Sequence, residues 1–491
     1  MARDQVEGIL PTSAKLDLLS SPDGEVREAS LTLDGVPEER TTASTRLTSD
    51  VLDKCREWHF YVESLWGLPG KGAIEVWRGK HREMAEATKR AVSAALLPGN
   101  AGGLLAEAVS ARSGGRLLLE VRADSEQVDS MPLELLGQPG GEGGAQVVVW
   151  RSRAGPVARS PSLRLLVARS APVDVSLPQN EDEVRAIGTY VGRGQQGIAT
   201  ELLGNSTYED FVLKTQDFRP GVVHLATHGT RDAFQFNSPP SNDPVGYDSL
   251  VRYFARRESV AAVVSTACFS AQPTILGNKR LVCFAGSLVD VGLSAAIGMA
   301  SKITPHAAKT FTEALYTEFS RGRTVVEAYA EAVLAVRGMA EYDHLLWSVP
   351  VMYSRSRNVI PFPDPGYLDL LDRLRSAQEG IKGLRCRLSR LPAMSRDARI
   401  AVAGGLALDM AVIRQDLTDI WAGELPGTSR VPDWGEKLQA AGGQLDWYMS
   451  QVGAAAGQGQ AAPQASAIIA TVLDEVEQLL IAGRHVIAVD R

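Results

Sequence analysis

The chain has 491 residues, of which 44% are hydrophobic and 22% are charged, a composition typical of soluble globular proteins. Its 51 basic and 58 acidic residues give a formal net charge of -7, which argues against nucleic acid or an anionic membrane surface as a direct partner. At roughly 100–200 residues per domain, this length predicts two to four domains.

The four cysteines, at positions 55, 268, 283 and 386, have neither the spacing of a metal site nor that of a CxxC motif. Four thiols in a chain of this length do not make a disulfide framework. We therefore expect a reducing, cytoplasmic location, in which a nucleophilic thiol stays available. The first residues contain no apolar core of a signal peptide, and no run of about 18 or more apolar residues predicts a transmembrane helix.

Residues 1–76 predict a β-containing N-terminal region. Two segments, 16–19 and 28–33, alternate in hydrophobicity as strands do. The dipeptides Asp23-Gly24 and Asp34-Gly35 are turn signals beside them, as in a small β meander.

Residues 77–355 predict one α/β domain, with the most regular alternation from about 160 onward. The predicted strands are residues 117–121, 146–150, 163–168, 222–226, 260–266, 295–300 and 349–353. The predicted helices are residues 78–96, 102–112 and 281–291, and four that begin near Asn180, Ser206, Pro305 and Thr324; a further helix, 50–65, is predicted in the N-terminal region. Three of these starts have the spacing of a capping box, with Glu183, Glu209 and Glu327 as the acidic partners. Strands separated by helices predict a mostly parallel sheet with helices on both faces.

The C-terminal part of the chain has a different character. A Pro-rich stretch at 356–365 predicts a linker, and residues 366–491 predict a helical domain, for which a bundle is the default architecture. Two interpretations of this domain stay open: it binds a regulatory or sensor protein, or it only stabilises the chain.

Two of the predicted strands end in a reactive side chain. One carries His224 and ends in His228-Gly229, and the other leads into Cys268. The carboxyl ends of parallel strands share one edge of a sheet, so we expect the imidazole and the thiol to lie on the same edge. A thiolate attacks a carbonyl carbon, and an imidazole removes the thiol proton and returns it to the leaving amine. The backbone amides of Gly229 and Cys268 are candidates for an oxyanion hole.

These residues alone also fit a structural interpretation, because a cysteine after an apolar run is typically a buried thiol and a strand histidine a core residue. We interpret Cys283 and His224 in this way. Zinc is disfavoured, because His224 and His228 lie four residues apart in a strand, about 13 Å from one another, and no HExxH motif is present. No phosphate-binding loop is present either, so we expect no metal and no cofactor.

Several ordered motifs resemble the CHAT domain family of the caspase-like clan. They are His224-Leu-Ala-Thr-His228-Gly229, Ser265-Thr-Ala-Cys268, Pro132-Leu-Glu134-Leu-Leu136 and the closing Trp347-Ser-Val-Pro350-Val-Met-Tyr353. The resemblance covers about residues 78–355 and implies a caspase-like peptidase domain over 77–355, with its catalytic half at about 160–355. It also implies that His228 is the general base, Cys268 the nucleophile, and His224 a structural or supporting residue.

The substrate pocket departs from the family pattern. Relatives often read Ser-Ala-Cys-x-Thr-Gly, whereas here Cys268 is followed by Phe269-Ser270-Ala271. Relatives that cleave after basic residues carry an acid two positions before the cysteine, where this chain has Thr266. Asp232 and Asp248 are alternative carboxylates for a basic substrate side chain, and both are equally typical of solvated loop acids. The pocket candidates are therefore Thr266, Asp232 and Asp248, with the cleavage specificity undefined.

Two functions follow from the resemblance. The first is a regulated cysteine endopeptidase that cleaves a protein substrate, in a bacterial defence or cell-death type of system such as those in which CHAT relatives act. The alternative is a catalytically silent caspase-like scaffold that binds proteins. An imidazole-activated Cys268 predicts a low thiol pKa and fast alkylation at neutral pH, which a silent scaffold does not.

Overall fold

The computed structural model divides into two compact units, Met1–Phe362 and Pro363–Arg491. The described residues are 13–20, 26–33, 40–44, 48–64, 71–97, 100–110, 116–123, 128, 130–137, 146–155, 162–170, 178–193, 197–237, 243–275, 281–339 and 346–362, with a few positions between 379 and 454. The predicted helical domain at 366–491 lies almost entirely outside them, as do the turn signals at Asp23 and Asp34. The predicted boundaries at 76 and at the 356–365 linker stay predictions.

Fifteen strands are described. They are β1 Ser13–Ser20, β2 Val26–Leu33, β3 Arg40–Ser44, β4 Arg116–Ala123, β5 Gln146–Ser152, β6 Arg164–Ser170, β7 Ala199–Leu203, β8 Val222–Gly229, β9 Ala233–Phe236, β10 Asp243–Gly246, β11 Ala262–Ser265, β12 Thr274–Ile275, β13 Leu281–Val282, β14 Ala295–Met299 and β15 Pro350–Ser354.

Nine α-helices are described between these strands. They are α1 Ser49–Ser64, α2 Lys71–Leu96, α3 Asn100–Ser110, α4 Pro178–Arg193, α5 Tyr208–Phe218, α6 Tyr247–Ala255, α7 Phe284–Asp290, α8 Pro305–Phe319 and α9 Val325–Arg337. No described helix is both long and apolar enough to cross a membrane.

Thirteen of the described strands form one sheet, in the order β10-β9-β8-β11-β14-β15-β5-β4-β1-β2-β3, with β6 and β7 joined beside β8. The central pairs β6–β8, β8–β11 and β11–β14 are parallel, as are β15–β5, β5–β4 and β4–β1. Antiparallel pairing joins β14 to β15 and the outer strands at either end. The predicted α/β fold, with a mostly parallel sheet flanked by helices, is confirmed.

The central strands are buried on both faces, because each face carries its own apolar cluster. On one face, Val222 and Val264 pack in a cluster with residues of α4, α8 and α9, among them Phe311. On the other face, Val223 and Val263 pack in a cluster with residues of α5, α6 and α7. Continuous apolar strands are typical of a parallel sheet covered on both sides.

Several helix starts differ from the sequence predictions. The cap of α5 is Thr207 with Asp210, one residue after the predicted Ser206. The Ser206 carbonyl already accepts from the Asn237 amide at 3.1 Å. Helix α4 begins at Pro178, ahead of the predicted cap Asn180. The start at Thr324 agrees with the prediction, and both hydrogen bonds of its capping box with Glu327 are present.

The predicted helix at 281–291 is also shorter than the sequence suggested. Residues Leu281–Val282 form strand β13, and α7 begins only at Phe284. The N-cap is Cys283, whose Sγ accepts a hydrogen bond from the Gly286 amide at 3.3 Å. Cys283 therefore has a capping role as well as being buried, which apolar periodicity alone does not reveal.

Candidate active site

Strand β8 carries His228 and Gly229 to the carboxyl edge of the sheet. The Thr230 amide donates to the Ala233 carbonyl at 2.8 Å, where the chain turns back into the antiparallel strand β9. Hydrogen-bonded and non-hydrogen-bonded pairs alternate along antiparallel strands, so Gly229 and its partner Phe234 form a non-hydrogen-bonded pair. The Gly229 amide therefore points away from β9, to the side where β11 lies.

Strand β11 brings Cys268 to the same edge. It pairs in parallel with β8, with Val264 opposite His224, and the Thr266 amide extends this ladder by donating to the Leu225 carbonyl at 3.2 Å. The chain then leaves the ladder and turns at Cys268. A Cβ atom at Gly229 would overlap the carbonyl oxygen of Cys268. The structure thus brings the backbones of Gly229 and Cys268 together, with His228 directly before Gly229 in the chain.

The turn that follows Cys268 is held against the end of β14. Phe269 has a φ of 65°, in the left-handed region that a bulky side chain rarely adopts. The Ser270 hydroxyl donates to the Ala267 carbonyl at 2.8 Å and accepts from the Met299 amide at 2.9 Å. The Ala271 amide donates back to the Met299 carbonyl at 2.8 Å. Ser270 thus supplies a hydroxyl where the family pattern has threonine.

Ala271 stands where the family pattern has glycine, and its methyl group lies over Gly298 of β14. A Cβ atom at Gly298 would stand 3.1 Å from the Ala271 Cβ and 2.9 Å from the Ser270 Oγ. Both distances are shorter than ordinary van der Waals contact. Glycine at 298 therefore makes room for the methyl group at 271.

Burial shifts the pKa values of both candidate groups toward their neutral forms. Burial lowers the pKa of His228 below its ordinary value, and its Nε2 atom is buried with no hydrogen-bond partner among the described residues. Burial raises the pKa of the Cys268 thiol, and a hydrogen bond from the Ile303 backbone amide and the charge of Lys302 act against this rise. At neutral pH the pair therefore rests as imidazole and thiol. The expected low thiol pKa is not what this environment produces.

His224 lies four residues before His228, on the same face of β8, and is fully buried. Its Nε2 lies 3.2 Å from Oε1 of Glu183 in α4, and its Nδ1 lies 3.2 Å from the Tyr316 hydroxyl in α8. The Thr312 hydroxyl donates to the same Glu183 oxygen at 2.9 Å. With Glu183 ionised, Nε2 donates to the carboxylate and Nδ1 accepts from tyrosine, so both ring nitrogens are satisfied. Glu183, which the sequence placed in a capping box, belongs instead to this buried cluster.

The three pocket candidates occupy different environments. Thr266 is buried directly before the cysteine turn. Asp232 is exposed, and its carboxylate accepts from the Thr230 hydroxyl at 3.0 Å. Asp248 is exposed in the first turn of α6, where its backbone carbonyl accepts from Arg252.

Tyr247 is a residue of this site that sequence reasoning missed. Its hydroxyl donates to the Thr230 carbonyl at 2.6 Å, and its amide donates to the Asp232 carbonyl at 2.9 Å. Burial raises the pKa of Tyr247, and the nearby Cys268, Asp232 and Cys283 raise it further. Asp232 and Cys268 thus both lie within electrostatic range of one tyrosine. The sequence offered no signal for it, because Tyr247 stands in an ordinary amphipathic helix.

The Pro132–Leu136 motif has a structural role at a neighbouring cleft. Glu134 is buried, and both of its carboxylate oxygens accept a hydrogen bond from the Arg151 guanidinium at 2.9 Å. Arg151 also donates to the Tyr353 hydroxyl at 3.2 Å, which joins β5 to β15. Glu134, Arg151, Ala271 and Ser301 are among the residues that line this small cleft.

No three His, Cys, Asp or Glu side chains among the described residues are arranged to hold a metal ion. The family model of the CHAT domain matches residues 90–422 of this chain. The chain belongs to the CHAT domain family. Membership in this family confirms the caspase-like type of fold that the sequence resemblance implied. The match to the CHAT domain begins within α2 and runs past the last described strand.

No curated protein matches this CHAT domain chain in sequence. Among solved structures it is similar to the Saccharomyces cerevisiae separase–securin complex determined at 3.0 Å, with a TM-score of 0.44, 11% identity, and coverage of 71% of this chain and 30% of that chain. A second separase–securin structure gives a TM-score of 0.42 at 12% identity, covering 70% of this chain and 30% of the other. The complex of the Porphyromonas gingivalis RgpB pro- and mature domains gives 0.31 at 12% identity, covering 49% of this chain and 64% of that one. This chain thus spans about a third of the separase chain it resembles.

Proposed function

We propose that this CHAT domain protein is a cysteine endopeptidase in which Cys268 is the nucleophile and His228 the general base. The observation that carries the proposal is the close approach of Gly229, the residue after His228, to the backbone of Cys268. The buried and unpartnered Nε2 of His228 supports it, because a base must have a free lone pair beside the thiol.

The proposed reaction begins with both groups neutral. His228 takes the thiol proton as the Cys268 sulfur bonds to the substrate carbonyl carbon, and the carbonyl electrons move to oxygen. The Gly229 and Cys268 amides stabilise that oxyanion, each worth about 3 kcal/mol of the barrier. The imidazolium then protonates the leaving amine as the C–N bond breaks. A water molecule, deprotonated by His228, hydrolyses the thioester and restores the thiol.

The wider role is part of the same proposal. Cleavage of a protein substrate in the cytoplasm, in a bacterial defence or cell-death type of system, is what CHAT relatives with a His/Cys pair imply. Control by a sensor protein that binds the helical region at 366–491 fits a resting thiol of raised pKa, because such a thiol needs activation. Thr266, Asp232 and Asp248 are proposed to line the substrate pocket.

An electrophilic substrate analogue tests the assignment without knowledge of the natural substrate. A library of peptidyl acyloxymethyl ketones is added to the full-length protein, and adducts are mapped by mass spectrometry. We expect an adduct on Cys268 that is lost in His228→Ala and kept in Cys386→Ala, which removes an exposed thiol elsewhere. Equal labelling of Cys268 in the wild type and His228→Ala would contradict the proposed base.

Proteolysis gives the second test. The wild type and Cys268→Ala are incubated with proteins encoded nearby, and new termini are mapped by mass spectrometry. We expect new termini with the wild type alone. Cleavage that persists in Cys268→Ala would overturn the assignment of the nucleophile.

One observation favours the alternative, a catalytically silent scaffold that binds proteins. Burial raises the thiol pKa of Cys268, whereas many active cysteine sites hold a preformed thiolate. If the protein is such a scaffold, peptidyl ketones should label Cys268 no faster than small alkylating agents do. His228→Ala should then change neither labelling rate.

A further inference from the structure

Gly229 is held in place by the residues that follow it. A side chain at position 229 would overlap the Cys268 carbonyl, so the close approach requires glycine, whose backbone rotates most freely. The direction of the Gly229 amide therefore depends on the turn of residues 230–233. Within this turn, the Thr230 amide donates to the Ala233 carbonyl at 2.8 Å, and the Ala233 amide donates to the Thr230 hydroxyl at 3.1 Å.

Tyr247, the first residue of α6, binds the same turn from outside. Its hydroxyl donates to the Thr230 carbonyl at 2.6 Å, and its amide donates to the Asp232 carbonyl at 2.9 Å. The preceding residue, Gly246, pairs with Ala233 at the end of the β9–β10 ladder. One tyrosine thus holds two carbonyls of the 230–233 turn, and the ladder fixes the backbone from which it reaches them.

The ring of Tyr247 also contacts the helix that supports the turn after the cysteine. Its centroid lies 5.0 Å from that of Phe234 in β9 and 5.3 Å from that of Phe284, the first residue of α7. The next residue, Ala285, donates its amide to the Ser270 carbonyl at 3.0 Å, inside the turn that follows the cysteine. The tyrosine is therefore bonded to the turn after the histidine and packed against the helix that holds the turn after the cysteine.

From these contacts we propose that Tyr247 is a positioning residue, whose hydroxyl fixes the 230–233 turn and so keeps the Gly229 amide directed at the oxyanion. The inference rests on the proposed function in taking that amide as an oxyanion donor. Tyr247 is buried, so it acts through the turn and not on the substrate. A donor stabilises a developing charge when it already points at it, so a Gly229 amide that rotates would lose part of this stabilisation.

Hydrogen exchange tests the positioning role without any reaction. Full-length wild type and Tyr247→Phe are compared by amide hydrogen–deuterium exchange with mass spectrometry. Phenylalanine keeps the ring and removes only the hydroxyl. In Tyr247→Phe we expect the Thr230 and Ala233 amides to exchange about tenfold faster, because the turn opens more easily without the bond to the Thr230 carbonyl. Exchange at the wild-type rate in this turn would overturn the inference.

Ketone labelling separates positioning from substrate binding. A peptidyl acyloxymethyl ketone that labels Cys268 is titrated, and the maximal labelling rate and the half-saturating concentration are measured separately. In Tyr247→Phe we expect the maximal rate to fall roughly tenfold and the half-saturating concentration to stay the same, because the loss lies in the transition state. An unchanged maximal rate with a raised half-saturating concentration would contradict the positioning role.

Tyr253→Phe is the matched control. Tyr253 lies in the same helix, and its hydroxyl also donates to a backbone carbonyl, that of Val212, at 3.2 Å. Its removal should leave the exchange of the 230–233 turn and the maximal labelling rate at their wild-type values. Equal losses in both variants would assign the effect to a loosened helix and overturn the inference. Faster exchange in Tyr247→Phe, with no ketone labelling of Cys268 in the wild type, would overturn the proposed function while leaving the hold of Tyr247 on the turn intact.

Discussion

Gly229 lies against Cys268 so closely that a single added carbon atom at position 229 would overlap the carbonyl oxygen of Cys268. The same atom would stand 3.2 Å from the Ala267 side chain. These two backbones meet where β8 and β11 leave the sheet, so their separation is set by the sheet itself. The space around the thiol therefore depends on glycine at 229.

Gly229→Ala should displace the Cys268 turn and lower ketone labelling and cleavage by roughly 100-fold, the order of effect seen when an oxyanion donor is lost. Labelling rates at Cys268 check this. Gly188→Ala is the control, because a Cβ atom there meets nothing within 4 Å and lies in helix α4. Full activity in Gly229→Ala would show that the amide and carbonyl positions at this edge do not matter for the reaction.

The pH dependence of labelling should follow the two shifted pKa values. Because burial lowers the pKa of His228 from an ordinary 6.5, the neutral base persists, and ketone labelling should fall only well below pH 6.5. Because burial raises the pKa of Cys268 from 9.0, alkylation by iodoacetamide should still be rising above pH 9. A labelling profile that falls at or above pH 6.5 would contradict the buried base.

The lowered pKa of His228 also affects stability. Folding favours the neutral ring, so its contribution to stability is present above pH 6.5 and is lost as pH falls through the lowered pKa of the folded state. His228→Gln should therefore reduce the loss of stability between about pH 6.5 and pH 4.5, measured by urea unfolding at each pH. A wild type and a variant that lose stability in parallel would rule this out.

The sequence predicted the elements that follow strong periodicity and missed those set by contacts distant in the chain. Thr324 could be placed as a cap, because its capping box is local. Glu183 has the same local spacing from Asn180, yet burial against His224 decides its role, and that contact spans 41 residues. Likewise, Tyr247 reaches the site only through the packing of its helix, for which the sequence carries no motif.

The buried pair of Glu134 and Arg151 allows a prediction about stability. Removing one partner, as in Arg151→Met or Glu134→Leu, should lower the free energy of unfolding by about 3–5 kcal/mol, because the remaining charge is buried and unpaired. The double variant should lose less than either single change. Urea unfolding measures all three.

The exposed pair of Lys54 and Glu57 serves as the control for this cycle. Its removal should change the free energy of unfolding by less than about 1 kcal/mol. If the double variant at 134 and 151 lost as much as the sum of the single losses, the two side chains would not be coupled.

The cluster around Glu183 leads to a separate prediction. Glu183→Ala leaves the His224 Nε2 and the Thr312 hydroxyl without their acceptor, at about 1–3 kcal/mol for each buried group. Thr312→Val removes one hydroxyl and should cost less. Thermal unfolding compares the two, and an unchanged stability in Glu183→Ala would show that water replaces the carboxylate.

The Ala271 methyl group occupies the space that a side chain at position 298 would need, so Ala271 and Gly298 share one small space beside the nucleophile. A side chain at 298 therefore depends on the residue at 271. A methyl group at 298 also presses on Ser270, so Gly298→Ala is tolerated only if Ala271→Gly and a shift of the Ser270 hydroxyl accompany it. The room beside this thiol is thus shared between the turn after β11 and strand β14, and only one of the two positions can carry a methyl group.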